Sequence, residues 1–317
     1  MKAPALAVLR RLSDGGFHSG ERMAEELGCS RASVCTRIQS LAEHYHLQID
    51  RVRGQGYRLL TPIDWLDASA IQPGLPAGLR VEVVDETGST NSDVLARAAQ
   101  GEANGLVRLA EVQTAGRGRL GRRWQTPLGS GLTFSLLWRF DCGVGQLSGL
   151  SLLVGVALTR VLNRLGAPVR LKWPNDVLLG ERKLAGILIE LAGDALGPSA
   201  VVIGVGLNVH PAGDVGQPAA ALSDAGLSLS RNALAAALLS ELADLLTQFA
   251  HDGFAPFRAE WEHWHAWQDE PVVLLPMQGE ALAGIALGID AHGALRLMTA
   301  HGEQAVHAGE ISLRRHA

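Results

Sequence analysis

Residues 116–124 read Gly116-Arg117-Gly118-Arg119-Leu120-Gly121-Arg122-Arg123-Trp124, three glycines and four arginines in nine positions. Glycine lets backbone approach a ligand closely and tolerates φ > 0. Arginine brings permanent charge and a planar fork of donors matched to carboxylate and phosphate. The segment suits closure over an anion, though Gly/Arg loops also serve nucleic-acid contacts and solvated turns. Its glycines predict mobility when empty and order over ligand.

Four further clusters carry chemistry. Lys172-Trp173-Pro174-Asn175-Asp176 puts a proline turn ahead of two oxygen ligands. An Asn–Asp pair beside lysine suits Mg2+ held with a substrate phosphate, because Mg2+ keeps waters and takes few protein ligands; the same step also makes an Asx turn. Arg182-Lys183-Leu184-Ala185-Gly186-Ile187 sets an ammonium at the mouth of an apolar strand, where it faces an oxyanion or only solvates a hairpin. Gly204-Val205-Gly206-Leu207-Asn208 is a strand whose glycines allow flat contact with a ligand. Ser89-Thr90-Asn91 offers three hydrogen-bonding side chains after a strand, as ligand contacts, as a helix cap, or as both.

The elements around these clusters follow from periodicity. Strands are predicted at 81–84, 106–113, 132–139, 170–173 and 201–208, with a hairpin over 177–179 and 184–192. Helices are predicted at 92–100, 147–165 and 231–252. Together they make an α+β body with a mixed sheet. From Pro271 five short Gly-punctuated strands suggest an SH3-like barrel over 271–317. At the other end, Leu6, Leu9 and Leu12 mark one helix, Glu21–Leu27 a second, and Ser30 caps a third with Val34, Ile38 and Leu41 on one face. Helix-turn-helix spacing followed by a hairpin over 47–60 reads as a winged helix over 1–62. Arg31, Ala32, Thr36 and Gln39 lie off the core stripe and suit a major groove; Arg51 and Arg53 on the wing suit phosphates. A winged helix used only for protein contact is the other reading.

Composition agrees. The 317 residues carry a net charge of −4, yet residues 1–60 hold nine Lys/Arg against six acids, a basic module on a body of −7. Three cysteines, none in a CxxC, argue against a disulfide framework. The run Leu147–Leu158 is too short for a bilayer, so the chain is expected to be cytoplasmic and without membrane contact.

Taken in order, these clusters with the N-terminal winged helix resemble the biotin protein ligases, in the BirA-type bifunctional form that also represses the biotin operon. The resemblance covers nearly the whole chain, including the closing Gly309-Glu310-Ile311-Ser312-Leu313-Arg314. It implies a class II synthetase-like catalytic domain over 63–270. It also implies a two-step reaction: biotin and ATP give biotinyl-5′-AMP, and a lysine of the biotin carboxyl carrier protein then takes the biotin. Ser89, Thr90, Asn91 and Gln113 would hold the biotin rings, with Gly116, Gly118, Gly186, Gly204 and Gly206 letting backbone line the slot. Arg117, Arg119 and Lys183 would be catalytic, over the carboxylate and α-phosphate. Arg122, Trp124, Lys172, Asn175, Asn208 and Arg314 would lie on the ATP side, and Asp176 with Asn175 would hold Mg2+. Operator DNA and a ligand-dependent homodimer would be the regulatory partners.

Two departures stand out. Leu120 occupies a position where the family often has arginine, and 211–221 offers no aromatic residue to cover an adenine. The second predicts looser closure over the adenylate and a weaker link to dimerisation. The alternatives are a biotin sensor without ligase activity, a ligase whose winged helix no longer represses, and lipoate ligation, which the Lys172–Asp176 and Gly/Arg clusters disfavour.

Overall fold

The structure is a computed structural model and describes residues 3–192, 197–211, 218–277, 279–309 and 311–316. It divides into two units, Met1–Leu66 with Pro127–Gly129, and Asp67–Thr126 with Ser130–Ala317.

In the first unit α1 (Ala3–Leu12), α2 (Gly20–Glu26) and α3 (Arg31–Tyr45) precede the antiparallel strands β1 (Ile49–Val52) and β2 (Gly56–Leu59). Leu6, Leu9, Leu12, Val34, Ile38 and Leu41 are all buried, as the helical spacing requires. Gly28, at φ +61°, turns α2 into α3, and the Ser30 hydroxyl accepts the Ser33 N–H at 3.1 Å. The winged-helix reading is therefore met in its elements.

The second unit opens with the short helix α4 (Ala68–Ile71). Seven strands follow: β3 (Arg80–Thr87), β4 (Leu106–Gln113), β5 (Gly131–Phe140), β6 (Val169–Lys172), β7 (Asp176–Leu179), β8 (Arg182–Ala192) and β9 (Ser199–Asn208). They form one sheet in the order β3-β4-β5-β9-β8-β7-β6. Only β3–β4 pair in parallel, so the sheet is mixed as expected. Helix α5 (Thr90–Ala99) covers one face, its Val94 and Ala98 packed with Leu137 and Val202. The other face takes α6 (Leu150–Arg164), whose Gly155 abuts Leu171 and Ile187. Helix α7 (Arg231–Asp252) packs against α6 and β5.

By length and composition alone, 144–164 and 231–252 are long and apolar enough to cross a bilayer. Their apolar surface goes instead into this core, where Leu153, Val156, Leu158, Leu238 and Leu242 are fully enclosed.

Helix α8 (Arg258–Trp264) is not signalled in the sequence. The chain after it lies along β6, with His265 bridging Leu171 and the Ala266 N–H donating to Leu171 O at 2.7 Å, so this edge is covered. The last strands are β10 (Pro271–Pro276), β11 (Leu282–Ile289), β12 (Leu295–Thr299), β13 (Gly302–Val306) and β14 (Ile311–Arg315). They pair antiparallel in the order β13-β12-β11-β10-β14. Among the described residues no pair joins β13 to β14, so the expected SH3-like barrel is here an open five-stranded sheet. The Trp173 indole N–H, donating to Gly293 O at 3.1 Å, ties this sheet to the turn after β6.

Candidate active site

The site begins as a flat patch. Cross-strand registers set Ser135, Gly204 and Leu188 in one row, and Thr133, Gly206 and Gly186 in the next. Residues two apart share a face, so both rows look toward the start of α5. The two β9 glycines are needed for packing. A Cβ on Gly204 would stand 2.8 Å from Asn91 Cγ and nearer still to Oδ1; one on Gly206 would stand 2.6 Å from Trp124 Cζ2. Side chains thus lie flat where the sequence suggests that ligand alone would.

Thr90 and Asn91 begin α5 with Ser89 before them, and none of the three serves as a side-chain cap. Thr90 and Asn91 join a buried polar network instead. Gln113 Oε1 accepts the Thr90 N–H at 2.8 Å. The Ser135 hydroxyl lies 2.8 Å from that of Thr90 and donates to Asn91 Oδ1. The Asn91 amide donates to Glu190 Oε2 at 2.8 Å. Ser89, Thr90, Asn91, Gln113 and the glycine rows line a pocket whose walls also include Arg117, Arg119 and Trp124. Its lining mixes hydrogen-bonding side chains with apolar and glycine surface, a setting that can orient a small ligand.

The Gly/Arg segment forms a small hairpin rather than a shapeless cover. Gly118 N donates to Arg122 O at 2.7 Å and Trp124 N to Gly116 O at 2.9 Å. Gly116 is buried, with Gln113 Nε2 3.1 Å from where its Cβ would sit. At the tip Leu120 takes φ +59°, a region costly for a side-chain-bearing residue. Arg117 pairs with Glu190 at 2.7 Å, and Arg119 donates to Asn175 Oδ1 at 3.0 Å and to Gly309 O at 2.5 Å.

A second, more polar cavity adjoins the first. Arg122, Lys172, Asp176 and residues 311–313 line it, and Gly118, Arg119, Trp124, Asn175 and Lys183 line both. The shared wall is cationic. Lys183 Nζ is 2.6 Å from Asp176 Oδ1, and Lys172 Nζ is 3.5 Å from Oδ2. Burial alone would raise the Asp176 carboxyl, but the two ammoniums outweigh it and hold it below the usual range. Burial depresses Lys172 and Arg119, with Asp176 opposing both shifts.

This arrangement does not fit a protein-held metal ion. Both Asp176 oxygens face lysine ammoniums, Asn175 Oδ1 takes an arginine donor, and Asn175 Nδ2 is spent on Ile187 O at 2.7 Å. Among the described residues no three His, Cys, Asp or Glu side chains cluster for a metal. The expected Asn175–Asp176 metal pair is therefore an anchor for cations of the chain itself.

Asn208 and Arg314 fall outside both cavities. Asn208 is buried and donates to Ala220 O at 3.0 Å, and Arg314 is exposed but near enough to help depress Lys172. Of 211–221, residues 212–217 lie outside the described residues; Lys183 N donates to Pro218 O at 3.2 Å. Three contributors escaped the sequence reading. Ser135 is a polar residue inside an apolar strand, Glu190 is the one acid in Leu184–Ala192, and Trp267 sits with its ring 5.5 Å from Lys172 Nζ. The first two interruptions of apolar pattern were readable signals. Nothing local marks the third.

In the first unit Arg31, Ala32, Thr36, Gln39, Arg51 and Arg53 are all exposed. Arg31, Arg51 and Arg53 line a groove between the start of α3 and the wing. Arg31 already pairs with Glu21 at 3.2 Å, and the Thr36 hydroxyl donates to Ala32 O at 3.1 Å.

Known proteins match along nearly the whole chain. Residues 83–208 match the biotin/lipoate A/B protein ligase family, residues 270–314 the biotin protein ligase C-terminal domain, and residues 5–58 an HTH domain. The bifunctional ligase/repressors BirA of Salmonella typhimurium and Escherichia coli are each 40% identical over 314 residues, 98% of this chain and 97% of theirs. The Aquifex aeolicus biotin protein ligase, solved in complex with biotin and ATP, aligns with a TM-score of 0.65 at 28% identity over 74% of this chain and 99% of its own. A two-cavity site on a mixed sheet, an N-terminal HTH unit and full-length similarity lead to one conclusion: the chain belongs to the bifunctional biotin protein ligase/repressor family.

Proposed function

We propose that the first cavity takes biotin, the second takes ATP with its Mg2+, and the two react across the shared wall. The single observation that carries this is the wall itself, where Arg119, Asn175 and Lys183 face both cavities. A biotin carboxylate oxygen attacks the α-phosphorus of ATP, pyrophosphate leaves, and biotinyl-5′-AMP forms. An acceptor lysine amine of a biotin carboxyl carrier protein then attacks the anhydride carbonyl, and AMP leaves. Bringing two anions together is the main barrier. Fixed cations at the junction lower it without reorganising solvent. Asp176 keeps Lys183 and Lys172 in place, so neither ammonium needs ordering when substrate arrives.

Mg2+ travels on the nucleotide in this reading, consistent with the occupied oxygens of Asp176 and Asn175. Arg122 and Lys172 attend the polyphosphate. The C-terminal strands supply a separate antiparallel module and the mixed sheet a class II synthetase-like core, with functional divisions near 62/63 and 270/271. The exposed arginines of the first unit contact operator DNA, and biotinyl-AMP promotes a cytoplasmic homodimer.

The test is carrier biotinylation. The full chain with ATP, Mg2+, biotin and a carrier domain should release pyrophosphate and label one carrier lysine. Binding of biotin with no pyrophosphate release would leave only a biotin sensor.

A further inference from the structure

We propose that Glu190 sets the donor and acceptor polarity of the ring-binding slot, and so acts as a positioning residue for specificity. The inference rests on reading the first cavity as the biotin slot. An ionised carboxylate only accepts hydrogen bonds. Glu190 Oε2 lies 2.8 Å from the Asn91 amide nitrogen, and Leu188 O lies 3.4 Å from the same atom. Two acceptors fix the carboxamide, nitrogen toward β8 and oxygen toward Ser135.

The consequence propagates. Ser135 has one proton and must spend it on Asn91 Oδ1. The Thr90 hydroxyl, 2.8 Å from the Ser135 oxygen, donates to Gln113 Oε1 at 3.2 Å. The same Gln113 Oε1 also takes the Thr90 N–H at 2.8 Å. The Thr90 oxygen is left presenting lone pairs to the cavity, an acceptor for a ligand N–H. Ser135 is fully buried, and Thr90 and Asn91 nearly so, so no solvent competes to scramble the order. Glu190 also holds Arg117 at 2.7 Å, which fixes the carboxylate against the hairpin. A cyclic urea, with N–H donors on its ring edge, is the ligand class this polarity selects.

Replacing Glu190 by its amide isostere removes the constraint. In Glu190→Gln the new amide can donate, Asn91 can turn over against the longer contact to Leu188 O, and Ser135 then turns its proton onto the Thr90 oxygen, occupying a lone pair that a ligand N–H needs. The full-length protein is titrated with biotin and, separately, with ATP by calorimetry, and its melting is followed in parallel. Biotin affinity should fall about 10–100-fold, the effect of one mismatched buried hydrogen bond, while ATP affinity stays within about twofold. Asn91→Asp, which sets two carboxylates face to face, should also lose biotin. The exchange variant Asn91→Asp/Glu190→Gln restores the wild-type proton order and should regain at least about tenfold over either single change. No recovery in the exchange variant, or an unchanged Glu190→Gln, overturns the proposal. Wild-type protein that binds no biotin overturns the slot assignment beneath it instead.

Discussion

Gly204→Ala tests how closely β9 must lie against α5. The added Cβ falls 2.9 Å from Asn91 Nδ2 and 2.8 Å from Cγ, where ordinary contact needs 3.4–4 Å. Strand β9 is paired on both sides, to Ser135 of β5 and Leu188 of β8, so the carboxamide must yield. Retreat by roughly 1 Å breaks its bonds to Ser135 and Glu190. A charged hydrogen bond is worth about 1.5–3 kcal/mol and a neutral one about 1 kcal/mol, with overpacking adding about 1–3 kcal/mol. Loss of the two bonds that hold the carboxamide, about 3 kcal/mol together, corresponds to an affinity loss on the order of 100-fold. Biotin affinity should therefore fall about 100-fold by calorimetry. ATP affinity should hold, because Gly204 does not reach the second cavity. Biotin affinity within about threefold of wild type would refute the packing argument.

Four further outcomes are expected. Arg119→Ala should slow pyrophosphate release about 100–1000-fold with the fold intact, as loss of one donor at a developing charge does; stopped-flow detection of pyrophosphate checks it. His265 is enclosed and stacked on Trp261 at 4.7 Å, and burial drops its pKa to about 4. The unfolded chain binds its proton first as pH falls, so wild type should lose about 2 kcal/mol between pH 7 and pH 5, read by denaturant unfolding, and His265→Phe should lose less over the same range. Hydrogen exchange over 116–124 should slow on adding biotin and ATP together, if its glycines permit opening. Removing Arg51 or Arg53 should each weaken operator binding and lower the salt slope by about one in a mobility-shift series.

Much of this was legible in the chain. The strands and long helices follow apolar period, and α7 begins and ends where its stripe does, Arg231 to Asp252. The five clusters converge because each lies at a strand end or a strand–helix junction of one sheet. What escaped depends on long-range register. Thr90 and Asn91 read locally as caps, and only the approach of β5 and β8 turns them into a network with Ser135 and Glu190. Asn175 and Asp176 read as metal ligands because sequence spacing does not show that Lys183, on the neighbouring strand, arrives first. Whether the last five strands close is likewise a matter of how β13 and β14 meet, which their own composition does not decide. Helix α8 is short, and its Trp261 packs inward without a full apolar stripe to announce it.

The central claim is that biotin carboxylate meets the α-phosphate at the wall formed by Arg119 and Lys183. Carboxyl-labelled [18O]biotin, reacted with ATP, Mg2+ and carrier in a single turnover, tests it directly by mass analysis of the products. Attack at the α-phosphorus predicts one label in AMP and none in pyrophosphate. Label in inorganic phosphate, with ADP as product, would contradict it.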